Sequence, residues 1–518
     1  MGCPTMPPWQ PGCSPAWIID GRGPSVQVEP VLERDQQKPE RKLADQQPAA
    51  PEIPERYRQV LDLIKQGKRG IAEKQARAML AETPEDGDTM ALLASVIVER
   101  GEFDEAERLL KRALQITPME PTPWLNLGRL FQQRRHWGEA LAHYETAAKV
   151  FPDHPAIAAT YGQLLQRANR FAEAEAQYRR TLEADPRPIH HVSLGMVLLR
   201  QERVEEAVEA FQTAIAGNPN LSAAWGNLGN AEQKRGNIEA AAAAYEKAIA
   251  LNPQDSMSYV SLGLAQLRLG QARQATEIFE RTLARMGPER RAAAWLPFAR
   301  AQEFGEMPAG YRAEIGNLVS RVALTPPESF DGIKALNAAL AAALREDPTL
   351  VWEPQGKATR KGGQTGLLLD NPREPFIAFE QTLRRAIDAH FDSIRREPGH
   401  PYRRQVPRTY QLDLWGTLLS EGGHQHSHIH VGGWMSGVYY VALPPTIGKD
   451  DARDGWIEFG HPPPEFDAKF EPRTIAYEPR EGDALFFPSY FFHRTLPFSG
   501  DTQRISLAFD VKPTSWRD

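Results

Sequence analysis

The sequence predicts an α+β multidomain chain, in which an all-α array of repeats is followed by a β-rich domain that opens with helices. Three observations predict it. A period of 34 runs from about residue 53 to 286. Beyond 287 the period disappears while amphipathic helical stretches continue to about 400. From 406 the chain breaks into short β-rich runs parted by Gly and Pro, the pattern of an antiparallel sandwich or jelly roll. The expected parts are a tail over 1–52, repeats over 53–286, capping helices and linker over 287–325, and the β domain with its preceding helices over 326–518.

The tail is rich in Pro, Gln and charged residues with little periodic apolar content, so it is expected to be disordered. Its "MGCPTM" start lacks the Ser or Thr that myristoylation needs at position 6, and no apolar signal segment follows. The only cysteines are Cys3 and Cys13, which argues against a disulfide framework or a cysteine metal site and fits a cytoplasmic protein. No apolar run approaches the roughly 18 residues that span a bilayer. A net charge of −6 gives no reason to expect nucleic acid. Nothing in the sequence fixes the oligomeric state.

The clearest repeat is 121–154, with Trp124, Leu127, Gly128, Phe131, Ala140, Tyr144, Ala147 and Pro152 at two-helix spacing. Others carry Gly162, Ala174, Tyr178 and Pro186; Gly195, Ala207, Phe211 and Pro219; Trp225, Gly229, Ala241, Tyr245 and Pro253; and Tyr259, Gly263, Ala275 and Phe279. Small residues belong where paired helices approach, aromatics are expected to fill the gaps between neighbouring repeats, and Pro ends each second helix. This pattern resembles the tetratricopeptide repeat family in about seven copies. The resemblance implies a groove for a protein or peptide partner, with Asn126, Arg129, Asn227, Asn230 and Lys234 at groove-facing positions.

In the capping region, "PERRAAAWLPFARAQEF" and "GYRAEIGNLVSRVAL" read as helices, as do stretches between 326 and 400. Then comes "HQHSHIHVGGWMSGVYYV" (424–441), where His424, His426, His428 and His430 recur at every second position. A strand sends alternate side chains to one face, so two neighbours in this row can grip a metal from one side. His493 follows in a distant run, and Arg504 comes eleven residues later. Two ligands from one strand, a third from another and then a fixed cation outline a mononuclear iron site with a carboxylate cosubstrate beside it.

The stretches "HIHVGGWMSGVYYV", "EGDALFFPSYFFHRTLPF" and "RISLAFDV" resemble the Fe(II)- and 2-oxoglutarate-dependent oxygenases of the prolyl-hydroxylase-like superfamily. The likeness is to the branch often joined to tetratricopeptide repeats, and "GGQTGLLL" (362–369) looks like that branch's opening segment. The resemblance implies a double-stranded β-helix, or jelly roll, and a dioxygenase that hydroxylates a side chain of a protein or peptide. It implies Fe(II) held by His428, His430 and His493, with 2-oxoglutarate as cosubstrate and ascorbate as an expected stimulant. Arg504 and Ser506 would bind the far carboxylate of 2-oxoglutarate, Tyr440 would donate to it, and Trp415 would wall the pocket. No catalytic side chain is expected beyond the metal centre. His430 stands where the wider superfamily has Asp, so the metal face carries one negative charge fewer.

Two other readings fit parts of the pattern. A cupin-type metal enzyme that does not use 2-oxoglutarate would account for Gly422, His428 and His493, but no Glu follows His430 where its fourth ligand belongs. A non-catalytic repeat scaffold would account for the repeats alone.

Overall fold

The computed structural model describes residues 55–287, 289–354, 356–370, 372–395, 399–448 and 453–516. The expected tail, with Cys3 and Cys13, lies outside them. The described chain divides into two compact units, one ending at Ala231 and the other starting at Glu232, a cut inside the helix Ser222–Arg235.

Between Glu55 and Met286 the described residues form fourteen α-helices of 11 to 15 residues. In the first unit three repeat glycines are covered by aromatic rings. A Cβ on Gly128 would lie 2.3 Å from the Tyr144 ring, one on Gly162 3.0 Å from Tyr178, and one on Gly195 2.6 Å from Phe211. The second unit repeats the device at Gly263, where the added atom would lie 2.6 Å from Phe279. These rings press on the glycine of their own repeat, and the Tyr144 hydroxyl also reaches Thr160 of the next one. Losing the Cβ on the first helix makes the flat space that the ring on the second helix fills.

Second helices end as Pro placement requires: Thr117, Phe151 and Asn252 cap helices immediately before Pro118, Pro152 and Pro253. The turn inside each hairpin needs one left-handed residue. Gly67, Gly101, Arg135, Asn169, Glu202, Gly236 and Gly270 take it, with φ of 72°, 83°, 62°, 58°, 62°, 92° and 74°. Glycine fills only four of these seven places, which hides this periodic feature from sequence reading.

The second unit also holds a curled antiparallel sheet. Its strands are β1 (Ser320–Ala323), β2 (Val351–Trp352), β3 (Thr359–Gln364), β4 (Pro407–His428), β5 (Met435–Ala442), β6 (Ile457–Phe459), β7 (Ile475–Tyr477), β8 (Asp483–Pro488), β9 (His493–Thr495) and β10 (Arg504–Trp516). The order is β1-β8-β5-β10-β4-β9-β6-β7, with β3 also on β4 and β2 on β3. The 22-residue β4 joins the two halves. Its first part pairs with β10, from Pro407 to Leu419, and its end pairs with β9 at Gln425 and His428. Gly422 (φ 69°) breaks the strand's run between them.

Helices cover this sheet as the apolar stretches foretell. Tyr439 donates to Asn337 Oδ1 (2.6 Å) on the helix Gly332–Arg345, and its ring packs 4.8 Å from Phe379 on Phe376–Arg395. Two sequence expectations are corrected. The stretch from Gly310 is helical only over Tyr311–Leu318; its end is β1, which pairs with β8. The stretch 326–400 is not wholly helical, because β2 and β3 interrupt it. Both strands are short, and "TRKGGQ" has no apolar alternation to betray it.

Candidate metal centre and adjoining pocket

β4 carries His424, His426 and His428 on alternating positions; His430 lies two residues past its end, and His493 opens β9 directly opposite His428. The chain leaves the strand at Ile429, yet His430 N donates to Ser489 O (2.9 Å), which fixes its place. The ligand nitrogens of His428, His430 and His493 all lie within 4.8 Å of one another. Their ring centroids stand 4.4 Å (428–493), 5.0 Å (430–493) and 5.1 Å (428–430) apart.

One nitrogen of each ring is committed to the protein. His428 Nδ1 donates to the His426 carbonyl (2.7 Å), His493 Nδ1 to the Phe491 carbonyl (2.9 Å) and His430 Nδ1 to Asp510 Oδ1 (2.7 Å). These acceptors carry no proton, so each Nδ1 donates and each Nε2 is the nitrogen left to face a metal. Burial, and then the neighbouring His430, push His428 down to about 3; burial and the two other imidazoles push His493 well below its ordinary value. Three imidazoles whose uncommitted nitrogens converge suit a borderline divalent metal such as Fe(II).

His424 and His426 stay apart from the cluster. His424 Nδ1 donates to Gly422 O (3.2 Å), and the His424 and His426 rings meet edge to face. His461 holds a loop: its carbonyl accepts from Ser427 and its Nδ1 donates to Pro462 O (2.7 Å).

Beside the triad lies a pocket of about 590 Å³ of empty space, its mouth included. Trp415, Arg504 and Ser506 line it as the sequence anticipates. The Trp415 ring lies 5.4 Å from His430. Arg504 is 1% exposed; its Nε donates to Gly455 O (3.2 Å) and a terminal nitrogen to Ser506 Oγ (3.4 Å). Among the described residues no carboxylate pairs with it, and burial lowers its affinity for its proton. A buried guanidinium without a counter-ion is costly. Thr417 Oγ1, opposite Ser506 across the strands, is also buried without a hydrogen-bond partner. Tyr440 is not among the lining residues. Its ring centroid lies 5.2 Å from the Arg504 guanidinium carbon, and its buried hydroxyl interacts with the same guanidinium.

Sequence reading missed Asp510, Thr417, Gln364, Gln425 and Lys357. All but Asp510 line the pocket. Burial lowers the Lys357 ammonium, and no acidic partner faces it among the described residues. Asp510 had a legible signal. It continues the Arg504, Ser506, Ala508 alternation on β10, where a carboxylate on the inward face of a buried strand calls for a partner.

Of the expected groove residues, Asn126 Nδ2 donates to Ala91 O (3.3 Å) and Asn227 Nδ2 to Ala223 O (2.8 Å), so both amides hold backbone. Asn230 and Lys234 also have partners, and Arg129 is exposed.

Residues 413–510 match the family described as "Putative 2OG-Fe(II) oxygenase". Tetratricopeptide repeat models match 63–128, 120–187, 160–222, 192–256 and 244–277. The chain thus matches tetratricopeptide repeat models over 63–277 and, nearer its end, the model of a family described as putative oxygenases. That family implies oxidoreductase chemistry with Fe(II) and 2-oxoglutarate, and the histidine triad fits the metal. No curated protein matches the chain. Among solved structures it is similar to the APC/C hetero-tetramer Cut9-Hcn1, at 19% identity over 48% of this chain and 49% of that one, with a TM-score of 0.40. The chain thus spans about half of that relative's length. YrrB, described as a TPR protein with an unusual peptide-binding site, matches at 20% identity over 35% of this chain and 95% of its own, with a TM-score of 0.32. A tetratricopeptide repeat protein from Parabacteroides merdae matches at 18% over 48% and 98%, with a TM-score of 0.38. No described helix is long and apolar enough to cross a membrane.

Proposed function

We propose that the chain is a 2-oxoglutarate- and Fe(II)-dependent dioxygenase that hydroxylates a side chain of a protein or peptide recruited by its repeats, in the cytoplasm. The observation that carries this reading is Arg504, a buried guanidinium with no carboxylate partner among the described residues, lining the same pocket as three converging imidazoles. A metal site alone needs no such cation. A dicarboxylate cosubstrate needs both, one end at the metal and the other at the guanidinium.

His428, His430 and His493 would hold Fe(II) through Nε2, each ring kept in one tautomer by its Nδ1 bond. Bound Fe(II) supplies activation of dioxygen coupled to oxidative decarboxylation of 2-oxoglutarate. Overall, a C–H bond, dioxygen and 2-oxoglutarate give the alcohol, succinate and carbon dioxide. Arg504 and Ser506 orient the distal carboxylate, and Thr417 offers it a free hydroxyl. Trp415, Val438, Ile457 and Phe487 form apolar wall that excludes water around the reacting centre. Tyr440 acts through Arg504, against whose guanidinium its ring lies, rather than by a bond of its own to the cosubstrate.

Tetratricopeptide repeats generally bind proteins or peptides. Asn126, Arg129, Asn227, Asn230 and Lys234 remain the groove residues of this reading. Asn126 and Asn227 keep their amide oxygens for a partner while their nitrogens hold backbone. The test is succinate release from 2-oxoglutarate by the iron-loaded full chain, with ascorbate, in the presence and absence of candidate peptides. Slow uncoupled release, stimulated by a peptide that gains one oxygen, is the expected result. Stoichiometric iron with no succinate under any condition would favour the cupin-type reading.

A further inference from the structure

The three-histidine face brings no charge to a divalent metal, yet a charge lies one step behind it. Asp510 Oδ1 accepts from His430 Nδ1 at 2.7 Å and from Ser436 Oγ at 2.6 Å. The carboxylate is buried in the centre of the sheet, on β10, opposite Ser436 on β5 and Asp413 on β4. Its cross-strand neighbour Asp413 has its own cation in Lys512, so the two carboxylates do not share one proton. Space for Asp510 is kept by Gly433, where an added Cβ would come within 3.3 Å of Oδ1.

The three imidazoles are not equivalent. His428 and His493 lean on backbone carbonyls, and His430 alone leans on a carboxylate. We propose that Asp510 supplies, through His430, the negative charge that the ligand face lacks, so that His430 and Asp510 act as one anionic ligand. This rests on Fe(II) occupying the triad, as proposed above.

The physical argument is local. A carboxylate that accepts the Nδ1 proton polarises the imidazole and makes its Nε2 a stronger donor. The added charge also stabilises Fe(III) relative to Fe(II), which lowers the midpoint potential. The buried Arg504 cation in the same pocket makes this compensation more valuable, because charges are poorly screened there. Asp510 is thus a positioning residue that acts through His430, not a ligand.

A role limited to ring orientation predicts something different. Both hydrogen bonds end on Oδ1, so Asp510→Asn keeps an acceptor for each donor, removes the charge and turns only the other oxygen into an amide nitrogen. Full-length wild type, Asp510→Asn and Ser436→Ala are compared by anaerobic Fe(II) titration against a competing chelator, and by the Fe(III)/Fe(II) midpoint potential. Asp510→Asn is expected to weaken Fe(II) about 10–100-fold and to raise the midpoint. Ser436→Ala, which keeps the charge, is expected to leave the midpoint at the wild-type value.

Wild-type affinity and midpoint in Asp510→Asn overturn the charge role while leaving the triad as the iron site. A wild-type chain without stoichiometric Fe(II) overturns the iron site itself. If Asp510→Asn does not fold, the double variant His430→Asp/Asp510→Asn decides, because it returns the carboxylate to the ligand position. Fe(II) affinity within about tenfold of wild type supports the proposal; a folded double variant without iron contradicts it.

Discussion

At the scale of the residue, the candidate site depends on which nitrogen each histidine has left to offer. His428, His430 and His493 each spend Nδ1 on the protein and aim the other nitrogen at a common centre. His428→Ala, His430→Ala and His493→Ala should therefore each abolish stoichiometric Fe(II), as metal analysis after anaerobic loading would read. His424→Ala should retain it, because His424 bonds to Gly422 away from the cluster. Full iron in His430→Ala would move the site one step toward His426. The triad, Trp415, Arg504 and Ser506 were legible in sequence because alternation on a strand and the spacing of three motifs mark them. Thr417 and Gln425 were not, since polar residues on β-rich segments read equally well as solvent-facing, and Lys357 was not, since it lies in a bend before β3. Tyr440 marks a limit of another kind: strand alternation fixes its face, but only packing reveals that it meets Arg504 rather than the pocket.

At the scale of the element, β5 and β10 hold the site together through one close approach. A Cβ on Gly437 would come 2.2 Å from the Phe509 ring and 2.7 Å from Leu485 O. The second of these atoms is backbone of the neighbouring strand β8 and cannot turn aside. Gly437→Ala should cost about 1–3 kcal/mol of stability through overpacking, measured by denaturant unfolding. A change below about 0.5 kcal/mol would mean the sheet relaxes there at little cost. The helices were readable from the repeat period, the glycines and the prolines. β1, β2 and β3 were not, because strands of two to six residues carry too few side chains to show a period of two.

At the scale of the whole molecule, the structure changes where the oxygenase domain is best cut. The sequence suggests a start near 326, which would remove β1 and the helix Arg290–Phe304. Yet β1 pairs with β8 through four residues, Ser320 to Ala323. Trp295 and Phe298 pack 5.0 and 5.4 Å from Phe492, the residue before His493. A fragment from 326 would expose Phe492, Phe466 and Phe470, and should lose iron and soluble expression. One beginning at Ser256 keeps these contacts and should still release succinate slowly without a peptide. Its efficiency on a protein substrate should fall relative to the full chain, since tethering raises local concentration without altering the chemistry. Equal efficiency in the two would assign the repeats some role other than recruitment.

The central claim is that Arg504 and the triad together bind one dicarboxylate. It is tested most directly by calorimetric titration of 2-oxoglutarate into the anaerobic Fe(II)-loaded chain, wild type against Arg504→Leu. The account predicts one 2-oxoglutarate per chain in the wild type. In Arg504→Leu it predicts unchanged iron and a loss of about 3 kcal/mol or more, over 100-fold in affinity, because the buried carboxylate loses its partner. Unchanged 2-oxoglutarate affinity in the iron-loaded variant would contradict it.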